Sequence, residues 1–462
     1  MRFLWLLLAV LLGSGSSVFA QLFPAMPGQN LVGGGLGFTY LVNEQGEAEP
    51  YLLLTLRPEL SFGKLGVGIA TDLRINIETR QIRKEDWDSF EDFLAAIRYV
   101  RYSQKYSRGL YARYGALDAA RLGYGQQVYL YKNELGLDIR KRGLALDYDG
   151  GFAGFESLWS NFAQAEVFGG RVFVRPLHRM TMPVIRNLTL GITVSGDLNT
   201  NVSYVNETVP GAPFALEEVD SVQVGVKKGA LVIAGFDLGL PLLKSSLLTV
   251  TPYFEWAKII DYGAGAATGI LAASSLPGIG QIDARLEFRA MGDRYLPSYF
   301  NAFYEVDRIR IDTTVVVNGE EVTLYNTKRN QLAAARGQNG WYGSLSGFLF
   351  NFVQVEGSYQ RLLDAPNSGW LHIGAGLIPN GNTSVFARAA FDRWNIGSET
   401  ELFRIQDEDA MLSAEVGYKP MPFVWVSMLY QQTFQPIRQD GRVVGYKKQE
   451  RFEPRVQLMI TF

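Results

Sequence analysis

Cysteine is absent from the 462 residues and histidine occurs only twice, which excludes disulfide scaffolds, zinc-thiolate and Fe–S sites and thiol nucleophiles. No sign of charge dominates either: 44 basic residues stand against 46 acidic ones, net −2, and no basic block offers nucleic acid a footprint. Also missing is an uninterrupted apolar run of about 20 residues beyond the amino terminus, the length a spanning helix needs. Ala230 to Leu243 is broken by Asp237 and Pro241, and Gly263 to Gly280 is mostly glycine, alanine and serine. What the chain does have is aromatics and glycine: 28 Phe, 23 Tyr, 8 Trp and 49 Gly, at 47% hydrophobic content and a mean hydropathy of zero.

The amino terminus reads as an export signal. Met1-Arg2 is positive, Phe3 to Leu12 is apolar, and Gly13 to Ala20 is small and polar, with Val18-Phe19-Ala20 predicting cleavage before Gln21. The apolar run is about half of a membrane span, and no cysteine follows for lipid attachment. The expected organisation is a signal peptide at 1–20, an extension or small plug at 21–34, and one domain over 35–462.

That domain repeats with period two. Leu188, Leu190, Ile192 and Val194 share one face, with Thr189, Gly191, Thr193 and Ser195 on the other. Between Ile282 and Ala290 the contrast sharpens: Ile282, Ala284, Leu286, Phe288 and Ala290 oppose Asp283, Arg285, Glu287 and Arg289. Similar alternation runs through Leu65 to Ile75 and Val353 to Gln360, and more weakly through Leu135 to Arg140, Leu248 to Trp256 and Val385 to Asp392. Ile97 to Tyr102 and Phe423 to Tyr430 break the pattern. A soluble sandwich would hide the apolar face, whereas a membrane barrel turns it outward and encloses the polar one. An exported chain, too many hairpin-length units for a sandwich, and aromatics near strand ends such as Tyr253, Phe254 and Trp256 favour the barrel.

The carboxy terminus adds a resemblance. Phe452, Pro454, Val456, Leu458, Ile460 and the final Phe462 alternate with Arg455, Gln457, Met459 and Thr461. This ending resembles the assembly signal of Gram-negative outer-membrane β-barrel proteins, carried by Val456, Leu458, Ile460 and Phe462. The resemblance implies insertion into the outer-membrane bilayer by the barrel-assembly machinery. The expected fold is therefore all-β, a transmembrane antiparallel up-and-down barrel of about 22 strands, 18 to 24 being allowed, with short helices in its connections.

Asp440-Gly441 is a hairpin signal. Walking back from it with the last strand descending to the periplasm puts the short turns at 418–422 and 379–383 inside. The loops at 393–408, 364–368 and 200–217 then fall outside, with an insertion over 305–340. That insertion carries its own hairpin around Asn318-Gly319 and a short helix over Lys328 to Arg336. Ser89 and Asp92 suggest a capped helical turn, and no Ca²⁺-loop spacing accompanies the nearby acids Glu85, Asp86, Asp88, Glu91 and Asp92.

Catalytic chemistry finds little support. His178 lies in an expected turn, no Ser or Asp stands near His372 in sequence, and Gly343-Ser344-Leu345-Ser346-Gly347 does not place serine centrally as a nucleophile elbow does. No catalytic residue, metal or cofactor is expected. The polar faces define candidate lumen-lining residues instead. They are basic at Arg74, Arg140, Arg171, Arg175, Lys227, Arg285, Arg289, Arg388 and Arg455, and acidic at Asp72, Asp138, Glu255, Asp283, Glu287, Glu356 and Asp392. Three readings stay open: a porin-like channel for small hydrophilic solutes, a non-transporting surface barrel whose loops bind a partner, and a transporter of hydrophobic compounds.

Overall fold

The computed structural model describes residues 31–42, 48–87, 96–134, 141–205, 224–317, 320–363, 368–377, 384–405, 409–439 and 442–461. Most of them belong to one antiparallel sheet of 23 strands, which closes on itself where Leu31–Val42 pairs with Arg442–Thr461, from Leu31 opposite Thr461 to Gly37 opposite Arg455. Closure leaves no unpaired edge, as a bilayer interior demands. Among the described residues pairing begins at Leu31, so 31–34, assigned from sequence to the extension, are wall.

Three pairs of consecutive strands continue each other. Ala48–Leu56 and Glu59–Phe62 are one stave interrupted at Arg57-Pro58, where proline has no N–H to donate. Leu65–Ile69 continues into Thr71–Asn76 across Ala70, and Val224–Gly239 into Leu243–Lys244 across a break that contains Pro241. The described residues thus form 20 staves, inside the expected 18 to 24 and even, as an antiparallel cylinder must be.

Connections alternate in length. At one end 63–64, 150–152, 277–279 and 350–352 are tight turns, with 175–188 the long exception. At the other end lie the intervals 77–96, 116–142, 206–223 and 292–337. The expected hairpin is Arg310–Val317 paired with Glu320–Asn326, and the helix runs Lys328–Ala334 with the Thr327 side chain accepting from the Asn330 N–H. Leu135 to Arg140 and the capped turn at Ser89 lie outside the described residues.

The faces have the polarity of a membrane barrel. Leu286 is 58% exposed while its neighbours Arg285 and Glu287 are 5% and 1% exposed. Val172, Ile192, Val416 and Leu458 are likewise exposed, and Arg171, Thr193, Glu415 and Gln457 beside them are buried. No described helix is long and apolar enough to cross a membrane, and the strands supply the crossing. Phe236, Phe254 and Trp256 form an outer aromatic ladder with centroids 5.7–6.0 Å apart. Tyr253 departs from the expected girdle: it is 3% exposed, faces inward and stacks on Tyr124 at 4.4 Å. The irregular stretch before Tyr430 has a packing cause, because Trp425 and Leu429 point inward and Trp425 meets Phe386 at 5.3 Å.

Candidate functional site: a lumen crossed by two inward segments

Two connections from the long-loop end fold into the barrel. The first, 116–134, follows the strand Gly109–Gly115; the second, 292–308, follows Gly280–Met291. Leu117, Leu122, Val128 and Tyr131 of one pack with Tyr295, Tyr299, Phe300 and Tyr304 of the other, and together they lean on Leu158, Ile233, Ala257 and Ile259 of the wall. This core is apolar inside a polar lumen, so each segment hides its apolar face on the other. The helix Lys328–Ala334 covers it with the buried Leu332. A smaller cluster joins Ala302, Phe303 and Val306 to Trp394 and Met411 near the long-loop ends of their strands.

Wall carboxylates hold the tip of the first segment. Glu255 accepts N–H bonds from Tyr124 at 2.8 Å and Gln126 at 2.9 Å, and Glu156 accepts from Gly123 at 2.9 Å. Gly123 has φ +56°, and a Cβ there would meet Glu255 Oε1 at 3.0 Å and Arg171 Nε at 3.2 Å, so only glycine suits this close turn. The second segment is tied by Arg308, which donates to Glu166 at 2.8 Å and to the Asn199 carbonyl at 2.7 Å, while Tyr304 donates to Asp197 at 2.6 Å. Burial disfavours the Glu166 carboxylate, but Arg308 and Lys141 outweigh it and hold the group down at about 2. At Lys132 burial wins and lowers the ammonium against the pull of Asp392, Asp118 and Glu356.

The sequence-derived candidates sit as follows. Arg74, Arg171, Glu255, Arg285, Glu287, Arg289, Glu356 and Asp392 are buried inside the closed sheet. Asp72, Arg175, Asp283, Arg388 and Arg455 are half-buried. Asp138 and Arg140 fall outside the described residues, as does Phe462, and the side chains of Lys227 and Ile460 are not described. Val456 and Leu458 are exposed on the outer face.

The lumenal charges pair locally. Arg171 binds Asp237 through two bonds of 2.6 and 2.7 Å and Glu156 at 3.1 Å. Arg74 meets Asp86 at 2.7 Å, Arg57 meets Asp72 at 2.6 Å, and Arg388 meets Glu415 at 2.7 Å. Within single strands, Glu287 lies between Arg285 and Arg289, and Glu453 between Arg451 and Arg455. Both triads read R-x-E-x-R, a period-two signal visible in the sequence that also brings in Glu453 and Arg451. Arg285 further lies over the rings of Tyr129 at 4.8 Å and Tyr342 at 5.3 Å. Asp86, one of the acids near Ser89, is taken by Arg74 and Arg83, and no described group of three or more His, Asp or Glu could hold a metal.

His372 has partners that its sequence neighbours did not reveal. Pairing sets it opposite Ser358 on one side and Asp392 on the other. Nδ1 lies 2.7 Å from Asp392 and Nε2 lies 3.5 Å from Glu356. The imidazole is thereby spanned by two carboxylates, a structural tie across three staves. His178 is in the 175–188 turn, with Phe152 5.0 Å from its ring.

The apolar core leans on the arc from Gly109–Gly115 to Gly280–Met291. On the opposite arc the side chains of Arg57, Asp72 and Arg388 keep 29%, 20% and 19% of their exposure. At the long-loop mouth a cavity of about 810 Å³ opens between Tyr295, Phe303, Lys328, Trp370 and Trp394. A second, of about 300 Å³, lies at the short-turn end beneath the tip of 116–134.

No family model and no curated protein matches the chain. Among solved structures it overlaps the siderophore receptor PirA from Acinetobacter baumannii at 9% identity, over 95% of this chain and 81% of that one, TM-score 0.35. It overlaps OccK11 (OpdR) from Pseudomonas aeruginosa at 11% identity, over 98% of both chains, TM-score 0.29. OccK1 (OpdK) from the same organism gives 9% identity, 94% and 98% coverage, and TM-score 0.32. Overlaps this loose establish no family; the chain's own geometry carries the functional reading.

Proposed function

We propose that the chain is a porin-like channel of the Gram-negative outer membrane, passing small hydrophilic solutes along the arc its inward segments leave open. The observation that carries this is the set of paired charges on that arc, with Arg57, Asp72 and Arg388 keeping 29%, 20% and 19% of their exposure, in a closed sheet whose outer face is apolar. Charges this numerous inside a barrel need water beside them, and barrels of 16 to 18 strands already enclose aqueous channels. The long-loop end faces outward and the short turns face the periplasm on this reading, with Val456, Leu458, Ile460 and Phe462 presented to the assembly machinery.

Purified protein in a planar bilayer is expected to give stepwise conductance. Because the charges are paired within a few ångströms rather than segregated into opposed rows, the reversal potential in a KCl gradient should lie close to zero. The competing reading, a surface barrel that binds a partner and transports nothing, is favoured by the apolar core across the lumen. A silent bilayer, with partner binding lost on deletion of 305–340, would select it.

A further inference from the structure

The geometry points to the cavity of about 810 Å³ at the long-loop mouth as a binding site for an uncharged saccharide. This deepens the channel reading by naming a solute class, and it rests on that reading for where the solute goes next. The volume is within the range of small-molecule sites, about 300–1,000 Å³. One side is built by the inward segment 292–308 and the helix Lys328–Ala334. The other is built by the long-loop ends of the strands Val353–Leu362, Gly369–Leu377 and Val385–Ile396, which lie outside the arc that the main apolar core leans on.

The charges of the lining cancel. Lys328 lies 3.3 Å from Asp307, Asp409 accepts from the Asn395 amide at 3.1 Å, and the exposed Arg336 at the rim makes the signs equal in number. Next to the lining, Arg289 donates to Gln360 Oε1 and Asp293 accepts from the Gly337 N–H, again one of each sign.

What stays open is amide. Among the described residues the Gln331 side chain makes no hydrogen bond, Asn301 uses only Oδ1, for the Phe303 N–H, Gln360 only Oε1, and Asn395 only Nδ2. Asn301 Nδ2, Gln360 Nε2, Asn395 Oδ1 and both ends of Gln331 are thus neutral donors and acceptors on the lining. A sugar hydroxyl donates and accepts through one oxygen, which suits such a mixed set. A carboxylate or an ammonium needs a counter-charge, and Lys328 and Asp307 already supply theirs to each other.

One ring completes the site. Tyr295, Phe303 and Trp394 are buried in the packed clusters. Trp370 is half-buried, and its T-shaped contact with Phe303 at 6.4 Å covers at most one face of the indole. Its remaining surface suits the C–H face of a sugar. Strand pairing sets Trp370 opposite Gln360, so ring and amide stand side by side.

The test is equilibrium dialysis of radiolabelled maltose against the full chain, in a detergent without a sugar headgroup. Maltose is expected to bind saturably and to be displaced by glucose, with gluconate, glucosamine and glycylglycine each weaker competitors than glucose by about tenfold or more. Trp370→Ala should weaken maltose by about tenfold, with Trp370→Phe intermediate. Should Trp370→Ala fail to fold, Gln331→Ala serves, since alanine keeps the helix; it should weaken maltose by about three- to tenfold, the loss of neutral hydrogen bonds. Absent maltose binding, equal binding by wild type and both alanine variants, or equal competition by gluconate would each overturn the proposal. The readout needs no conductance: stepwise current without maltose binding overturns this site alone, and maltose binding with a silent bilayer upholds the site while removing the channel reading.

Discussion

Glu255 shows how much a single lumenal carboxylate can organise. It satisfies two main-chain N–H groups of the inward tip from a wall strand more than a hundred residues away. Removing an acceptor from buried donors costs about 1–3 kcal/mol for each group left unpaired. Glu255→Ala is therefore expected to loosen 116–134, seen as faster proteolysis within that segment and noisier single-channel current, with Glu255→Gln intermediate because one acceptor survives. Unchanged proteolysis in the alanine variant would count against the lock. The sequence displayed Glu255 only as an acid on a polar face; which N–H groups it would meet is a fact of three-dimensional proximity.

At the scale of elements, the inward segments are the feature that alternation could not disclose. In 116–134 the period of two lapses and glycines appear at 123 and 125, which signals a non-strand connection without saying that it turns inside. The second ingress begins right after Met291, before the 305–340 insertion recognised from sequence. Its anchor is acid-sensitive. Because the Glu166 carboxyl is held near 2, below its usual 4.5, the stabilisation it gives is present above about pH 4.5 and is lost as pH falls toward 2. Acidification through that window should free 292–308 and raise conductance or its fluctuation. Arg308→Gln should show the loosened state already at neutral pH. Replacing 116–134 by a short Gly-Ser linker should enlarge conductance in every condition, and an unaltered trace would mean that the segment does not obstruct the passage.

For the whole molecule, the decisive property is which face meets lipid. Leu286→Arg places a charge on the outer face and is expected to cost about 2–4 kcal/mol near the bilayer midplane, less toward the interfaces, read as a lowered denaturant midpoint in liposomes. The variant should unfold normally in water-soluble conditions only if that face were not against lipid. The sequence by itself determined the antiparallel all-β class and the identity of the two faces, because a period of two is a local property of the chain. Tertiary structure alone decided the 20 staves, the inward folding of two connections and the carboxylates beside His372. Those depend on register and on contacts between residues far apart in sequence, and alternation assigns a side chain to a face without telling what stands opposite it.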